Sequence, residues 1–157
     1  MKKLLFGAAA ALLFLSAAPA QADTIHAMAT LGGGEEVPGL LSGAVAQADL
    51  TIDTESRTIA VVLRVFNIPT GTTAGHIHVG SKGVAGPVVV DFPIPPGRTG
   101  DLTLSFTVGA AQLRPNPAIG INTIDDVIQA IAGGGAYVNI HTATYPAGEI
   151  RGQLTVQ

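Results

Sequence analysis

Alternation of apolar and polar residues with period two runs through most of this chain. It is clearest over residues 44–53, where Ala44, Ala46, Ala48, Leu50 and Ile52 share one face while Gln47, Asp49, Thr51 and Asp53 share the other. That is the pattern of a strand with one buried face. Asp53-Thr54-Glu55-Ser56 reads as a turn, and residues 57–68 return with Ile59, Val61, Leu63 and Val65 inward, so the two segments predict a hairpin. Ala60, Val62 and Phe66 on the other face of the return strand predict that part of that face is covered too, as on a central strand. Residues 24–31 set Ile25, Ala27, Ala29 and Leu31 against His26, Met28 and Thr30, and residues 101–108 set Leu102, Leu104, Phe106 and Val108 against Thr103, Ser105 and Thr107. Residues 88–92 are a short, wholly apolar strand. One segment departs from period two. After Thr123, with Asp126 three residues on as in a capping box, Ile124, Val127, Ile128 and Ile131 form an i, i+3, i+4, i+7 stripe that Gly133-Gly134-Gly135 ends. About eight short strands, Gly/Pro turns and one short helix predict an all-β fold, an antiparallel Greek-key sandwich or barrel.

The last two strands carry most of the chemistry. In residues 137–152, Val138 and Ile140 alternate with Tyr137, Asn139 and His141. After the turn Tyr145-Pro146-Ala147-Gly148, Ile150 and Gly152 alternate with Glu149 and Arg151. Earlier, Gly75-His76-Ile77-His78-Val79 puts two histidines on one face. If these strands are neighbours, Asn, His, Glu and Arg converge on one polar surface of an aliphatic scaffold.

Composition and the N-terminus change the setting. Met1-Lys2-Lys3, an apolar run from Leu4 to Leu15 and then Ala20-Gln21-Ala22 make a secretory signal peptide, with cleavage expected after Ala22. The apolar run is shorter than the ~20 residues a membrane span needs. A mature chain of residues 23–157 is one domain's worth, and no membrane insertion is expected once the leader is cut. Losing Lys2 and Lys3 leaves six Lys and Arg against eleven Asp and Glu, a net charge near −5. With no basic patch and 4% aromatic residues, nucleic acid is not an expected partner. The chain has no Cys, although export leads to a compartment that permits disulfides, so stability has to come from packing or a metal.

Five ordered blocks resemble a known family. Glu36-Val37-Pro38, Gly75-His76-Ile77-His78, Gly86-Pro87-Val88-Val89-Val90, Tyr137-Val138-Asn139-Ile140-His141-Thr142 and Gly148-Glu149-Ile150-Arg151-Gly152 are similar to the CHRD domain, first recognised in chordin and present in many secreted bacterial proteins. Family copies usually carry Gln where this chain has Glu35. The resemblance covers residues 23–157 and implies an extracellular β domain with no agreed catalytic activity, in the periplasm or secreted. In chordin the domain belongs to a protein that sequesters signalling ligands.

Two functions stay open, and an enzyme ranks behind both. His76 and His78 project side by side, and His141 on another strand completes a three-imidazole set suited to copper or zinc, with Glu149 able to orient a ring from behind. The pattern of H-x-H with a distant His on such a scaffold is similar to the copper half of copper/zinc superoxide dismutases, without their further zinc ligands or disulfide. Otherwise His76, His78, Asn139, Glu149 and Arg151 are a hydrogen-bonded scaffold for an extracellular protein-interaction module, with Glu149 and Arg151 pairing with each other or with neighbouring strands. His26 and Met28 on the first strand are a possible auxiliary copper pair. Glu35-Glu36 reads as a solvated loop, and Asp91 and Asp101 as solvated strand ends. A metal site of this kind would lose affinity as pH falls through the ordinary histidine range near 6.5.

Overall fold

The computed structural model describes residues 24–157; the expected leader lies outside them. The alternating segments become β1 (Thr24–Gly32), β2 (Val45–Asp53), β3 (Thr58–Ile68), β4 (Thr72–Val79), β5 (Val88–Asp91) and β6 (Gly100–Val108). After α1 (Ile124–Ala132) come β7 (Ala136–Thr142), β8 (Ile150–Gln153) and β9 (Thr155–Val156). All pairings are antiparallel, and the strands form one sheet in the order β5-β4-β7-β8-β1-β2-β3-β6, with β9 alongside β1. Its two ends curl towards each other, so that Phe92, just beyond β5, meets Phe106 of β6 with ring centroids 5.0 Å apart.

The inward faces predicted from alternation make one continuous core. Ala46, Leu50 and Ile52 of β2, Ile59 and Leu63 of β3, Ile77 of β4 and Val138 and Ile140 of β7 are all buried in it. Each fully buried Val, Leu or Ile contributes about 1.5–3 kcal/mol relative to exposure. The helix closes one end with Ile124, Val127, Ile128 and Ile131 inward. Its first turn is held as the spacing predicts, with the Thr123 N–H and hydroxyl both donating to Asp126 Oδ2 at 2.8 and 3.0 Å. In the turn after β2, Asp53 Oδ1 accepts from the N–H groups of Glu55 and Ser56, each at 2.9 Å.

One packing expectation fails. β3 is central by order, between β2 and β6, but its second face meets solvent: Ala60 is exposed and Phe66 is 42% exposed. The strand buried on both faces is β7, every residue of which is buried. Segments 33–44, 80–87 and 145–148 lie over its polar side, as their contacts below show. No helix among the described residues is long and apolar enough to cross a membrane.

Candidate metal centre

Strand pairing sets the polar residues in rows. His76 of β4 stands opposite Asp91 of β5 on one side and Asn139 of β7 on the other, and Asn139 stands opposite Arg151 of β8. His78 stands opposite Tyr137, and His141 opposite Ala74. Directly opposed residues share a face of the sheet, so this face reads Asp91-His76-Asn139-Arg151 across four strands. Ala74 is small, and the His76 and His141 rings meet beside it, 4.7 Å apart; the His78 ring is 5.6 Å from that of His76 and 5.8 Å from that of His141.

One ring nitrogen from each of His76, His78 and His141 lies within 4.8 Å of the other two. The outward nitrogens are engaged by oxygen. His78 Nδ1 lies 2.9 Å from Gly86 O, His141 Nδ1 lies 3.0 Å from Pro146 O, and His76 Nε2 lies 3.3 Å from Asp91 Oδ1. A carbonyl only accepts, so His78 and His141 carry their protons on Nδ1 and leave Nε2 bare. His78 Nε2 is buried with no partner. His141 Nε2 lies 2.9 Å from His76 Nδ1, a contact in which only His76 can supply the hydrogen. His76 then carries its proton on Nδ1, towards His141, and its Nε2 faces the half-exposed Asp91 carboxylate at ion-pair distance without a hydrogen bond.

Protonating His76 would strengthen its attraction to Asp91, but its surroundings oppose it. Burial lowers its pKa from 6.5 to about 4, with further lowering by His141, His78 and Arg114 that outweighs the attraction of Asp91. Burial also lowers His78 and His141, against the raising effect of their carbonyl partners. Burial thus favours neutral rings, with lone pairs free at His76 Nε2 and at the unpartnered His78 Nε2. A transition-metal ion held among the three rings would be bound by neutral imidazoles without a proton. Three nitrogens bound to one ion at about 2.0–2.1 Å stand roughly 3.3–3.6 Å apart, within reach of small ring movements from the separations seen. The residues present fit such an ion.

Backbone geometry builds the carbonyl partners. A side chain at Gly86 would put its Cβ 1.7 Å from Val79 O, so only glycine lets this loop fold back over His78. The loop is also tied by Tyr137, whose hydroxyl accepts from Gly86 N–H at 3.0 Å and whose ring stacks on His78 at 4.8 Å. Pro146 is held by its turn, where Tyr145 O accepts from Gly148 N–H at 3.1 Å.

The remaining polar residues do something else. Glu149, fully buried, accepts from Thr142 Oγ1 at 2.6 Å and Ser42 Oγ at 2.7 Å, and so fastens segment 33–44 to β7. The expected orientation of a histidine by Glu149 is therefore corrected: Asp91, Gly86 O and Pro146 O do that. Of the two pairings expected for Glu149 and Arg151, with each other or with neighbouring strands, Glu149 takes the second, through Thr142 of β7. Arg151 donates to Glu35 O and, at 3.1 Å, to Val84 O, and its guanidinium lies over the Tyr137 ring at 4.7 Å. Asn139 points at Glu36 and Gly148, where φ is 134° and a Cβ would sit 2.6 Å from the Asn139 amide nitrogen. His26 and Met28 lie on the outer face of β1, His26 3.4 Å from Thr51 Oγ1, and they do not join the histidine cluster.

Two acidic residues matter more than the sequence suggested. Asp91, read as a solvated strand end, bridges His76 and Arg114, whose Nε lies 2.7 Å from Asp91 Oδ2. The register of the apolar strand β5 against β4 was the signal that could have found it. Glu36, read as solvated, has Oε1 buried without a partner, and burial raises its pKa to about 7 against the lowering effects of Arg151 and Asn139. Beside it, residues 36–40 and 144–148 enclose a cavity of about 260 Å³. Its neighbour Glu35 is the one that meets Lys82, at 3.1 Å.

Comparison with known families decides the kinship. The family model of the CHRD domain matches residues 27–154. The chain belongs to the CHRD domain family. The match starts within β1, runs through β8 and takes in all three histidines of the cluster. No curated protein and no solved structure matched this CHRD chain.

Proposed function

We propose that this CHRD domain is an exported metal-binding protein. It holds copper, with zinc as the competing ion, through His76 Nδ1, His78 Nε2 and His141 Nε2. The observation that carries this reading is the convergence of one nitrogen from each of three buried or half-buried rings within 4.8 Å, among them the buried, unpartnered Nε2 of His78. A buried hydrogen-bonded scaffold commonly satisfies its members; here the lone pair of His78 Nε2 faces the other two rings without a partner. Neutral imidazoles without thiolate suit copper and zinc, and copper binds the tighter of the two under the general affinity order. Asp91 belongs to the site as the acceptor that turns His76 Nδ1 inward. His26 and Met28 contribute little.

The proposed setting is the periplasm or the exterior of the cell, with a mature chain that starts at Asp23, and no catalytic turnover is assigned. Elemental analysis of protein purified without chelator tests the reading: about one equivalent of copper or zinc is expected, and none in His141→Ala. Mass spectrometry of the exported form should begin at Asp23; a product that keeps Met1 in the membrane contradicts export. The competing reading, an interaction module without metal, draws on the exposed apolar tip of the loop over the site, where Leu41 is 98% exposed. Protein free of metal at every step of purification, and unable to take any up, favours it.

A further inference from the structure

The curled sheet has two edges, and they are finished differently. At β5, Val90 bridges Leu113 and Val89 O accepts from Arg114 N–H at 2.8 Å, so the outer side of this four-residue strand is engaged. At the other end, the nine-residue β6 pairs with β3 on one side, and no strand or bridge among the described residues pairs with its other side. Leu102 to Val108 carries no charge and no proline and keeps a regular register against β3. Charge, proline and bulges are the devices that commonly blunt an edge. The nearest charge, Asp101, accepts from Asn67 N–H at 3.1 Å. On the core side, Leu104 and Phe106 are only partly covered.

We propose that β6 pairs antiparallel with β6 of a second copy of this chain, about a two-fold axis at Ser105. In that register Thr103 meets Thr107 on the exposed face, while Leu104 meets Phe106 and Leu102 meets Val108 on the core face. Such hydroxyl and aromatic–aliphatic cross-strand pairs are favourable, and no like charges meet although the chain is acidic overall. A second copy is the partner because the strand matches itself on both faces. Head-to-tail growth is closed off, since the β5 edge that would receive β6 is taken by Leu113 and Arg114. The association therefore stops at two. One strand pair buries less than the roughly 1,600 Å² of a standard interface, so the dimer is weak and depends on concentration.

Sedimentation velocity on the purified protein, from about 5 to about 500 micromolar, tests this in the concentration range of a weak interface. The wild type should pass from monomer to dimer. Ser105→Lys and Ser105→Glu should each stay monomeric, because like charges then meet at the axis, and an equimolar mixture of the two should dimerise again. Ser105 is exposed, so circular dichroism and melting temperature should be unchanged in both variants. A wild type that stays monomeric, a Ser105→Lys protein that associates like the wild type, a mixture that stays monomeric, or growth beyond two copies overturns the proposal.

Discussion

Two polar clusters share the covered face of β7, and they differ in how their hydrogen bonds close. Around Glu149 and Arg151, charged groups meet hydroxyls, carbonyls and an aromatic ring: Glu149 has Ser42 and Thr142, and Arg151 has Glu35 O, Val84 O and Tyr137. This half fastens loops to strands. Around His76, His78 and His141, each outward nitrogen lies near an oxygen, the inward nitrogens of His76 and His141 meet each other, and His78 Nε2 has no partner. The two groups differ in what is left over: beside Glu149 and Arg151 it is the amide and carboxyl oxygens Asn139 Oδ1 and Glu36 Oε1, and in the histidine cluster a ring nitrogen, the donor type that a transition metal takes. Residue type alone does not separate ligand from structural residue; the partners of each polar atom do.

Breaking the scaffold half should have the largest effect. Arg151→Ala strips the donors from two carbonyls and uncovers Tyr137, and should cost about 3–5 kcal/mol in urea unfolding, from two buried acceptors left unsatisfied at about 1–3 kcal/mol each and a lost cation–ring contact. His141→Ala should cost less stability, about 1–2 kcal/mol, while removing metal affinity. If the two variants lose stability equally and metal binding equally, the division into two halves is wrong.

Asp91 tests the boundary of the histidine half. Asp91→Leu frees the His76 ring and should weaken copper or zinc binding about 10–100-fold, the usual cost of losing an outer acceptor. Asp91→Asn, which still offers an acceptor oxygen, should bind within about threefold of wild type on the same reasoning. Equal binding by all three proteins would remove Asp91 from the site.

Acid separates the halves by sign. His76 has a native pKa near 4 and an unfolded one near 6.5. Between these values the unfolded chain binds more protons, so the stability due to the neutral ring is complete above pH 6.5 and is lost as pH falls towards 4. Glu36 runs the other way. Its native pKa near 7 lies above its unfolded value of 4.5, so its contribution is complete below 4.5 and is lost as pH rises through 7. The two oppose each other between pH 4.5 and 6.5. Glu36→Gln should therefore make the metal-free protein lose stability more steeply on acidification, the smallest effect expected here; an unchanged slope in urea titrations would show that Glu36 does not titrate in this range.

The fold was largely legible because one buried face leaves a period-two trace. The β2–β3 hairpin, β6 and the helix stripe at Ile124, Val127, Ile128 and Ile131 follow that trace directly. The adjacency of His76, His78 and His141 was legible as a condition, that β4 and β7 be neighbours, and the sheet order meets it. The partners of these rings were hidden for a physical reason. Gly86 O and Pro146 O are backbone atoms of loops, and their identity leaves no mark in side-chain patterning. Asp91 and Glu36 looked solvated because local sequence does not show which segment crosses above them. The coverage expected on β3 failed because alternation shows which residues are apolar and not whether anything covers them: Phe66 stays in solvent, whereas polar Asn139 and Glu149 are buried.

The pH dependence of metal binding follows from the same burial. Free histidines would lose a metal as pH falls through about 6.5. Here burial holds the His76 pKa near 4 and lowers His78 and His141 as well, so proton competition begins at lower pH than the sequence alone implied. Calorimetric titration of the purified protein with Cu²⁺, at pH 7, 5.5 and 4, tests the central claim most directly. The account predicts one site per chain of micromolar affinity or tighter, little changed between pH 7 and 5.5, much weaker at pH 4, and absent in His76→Ala. No binding by the wild type at pH 7, or equal binding by His76→Ala, would contradict it.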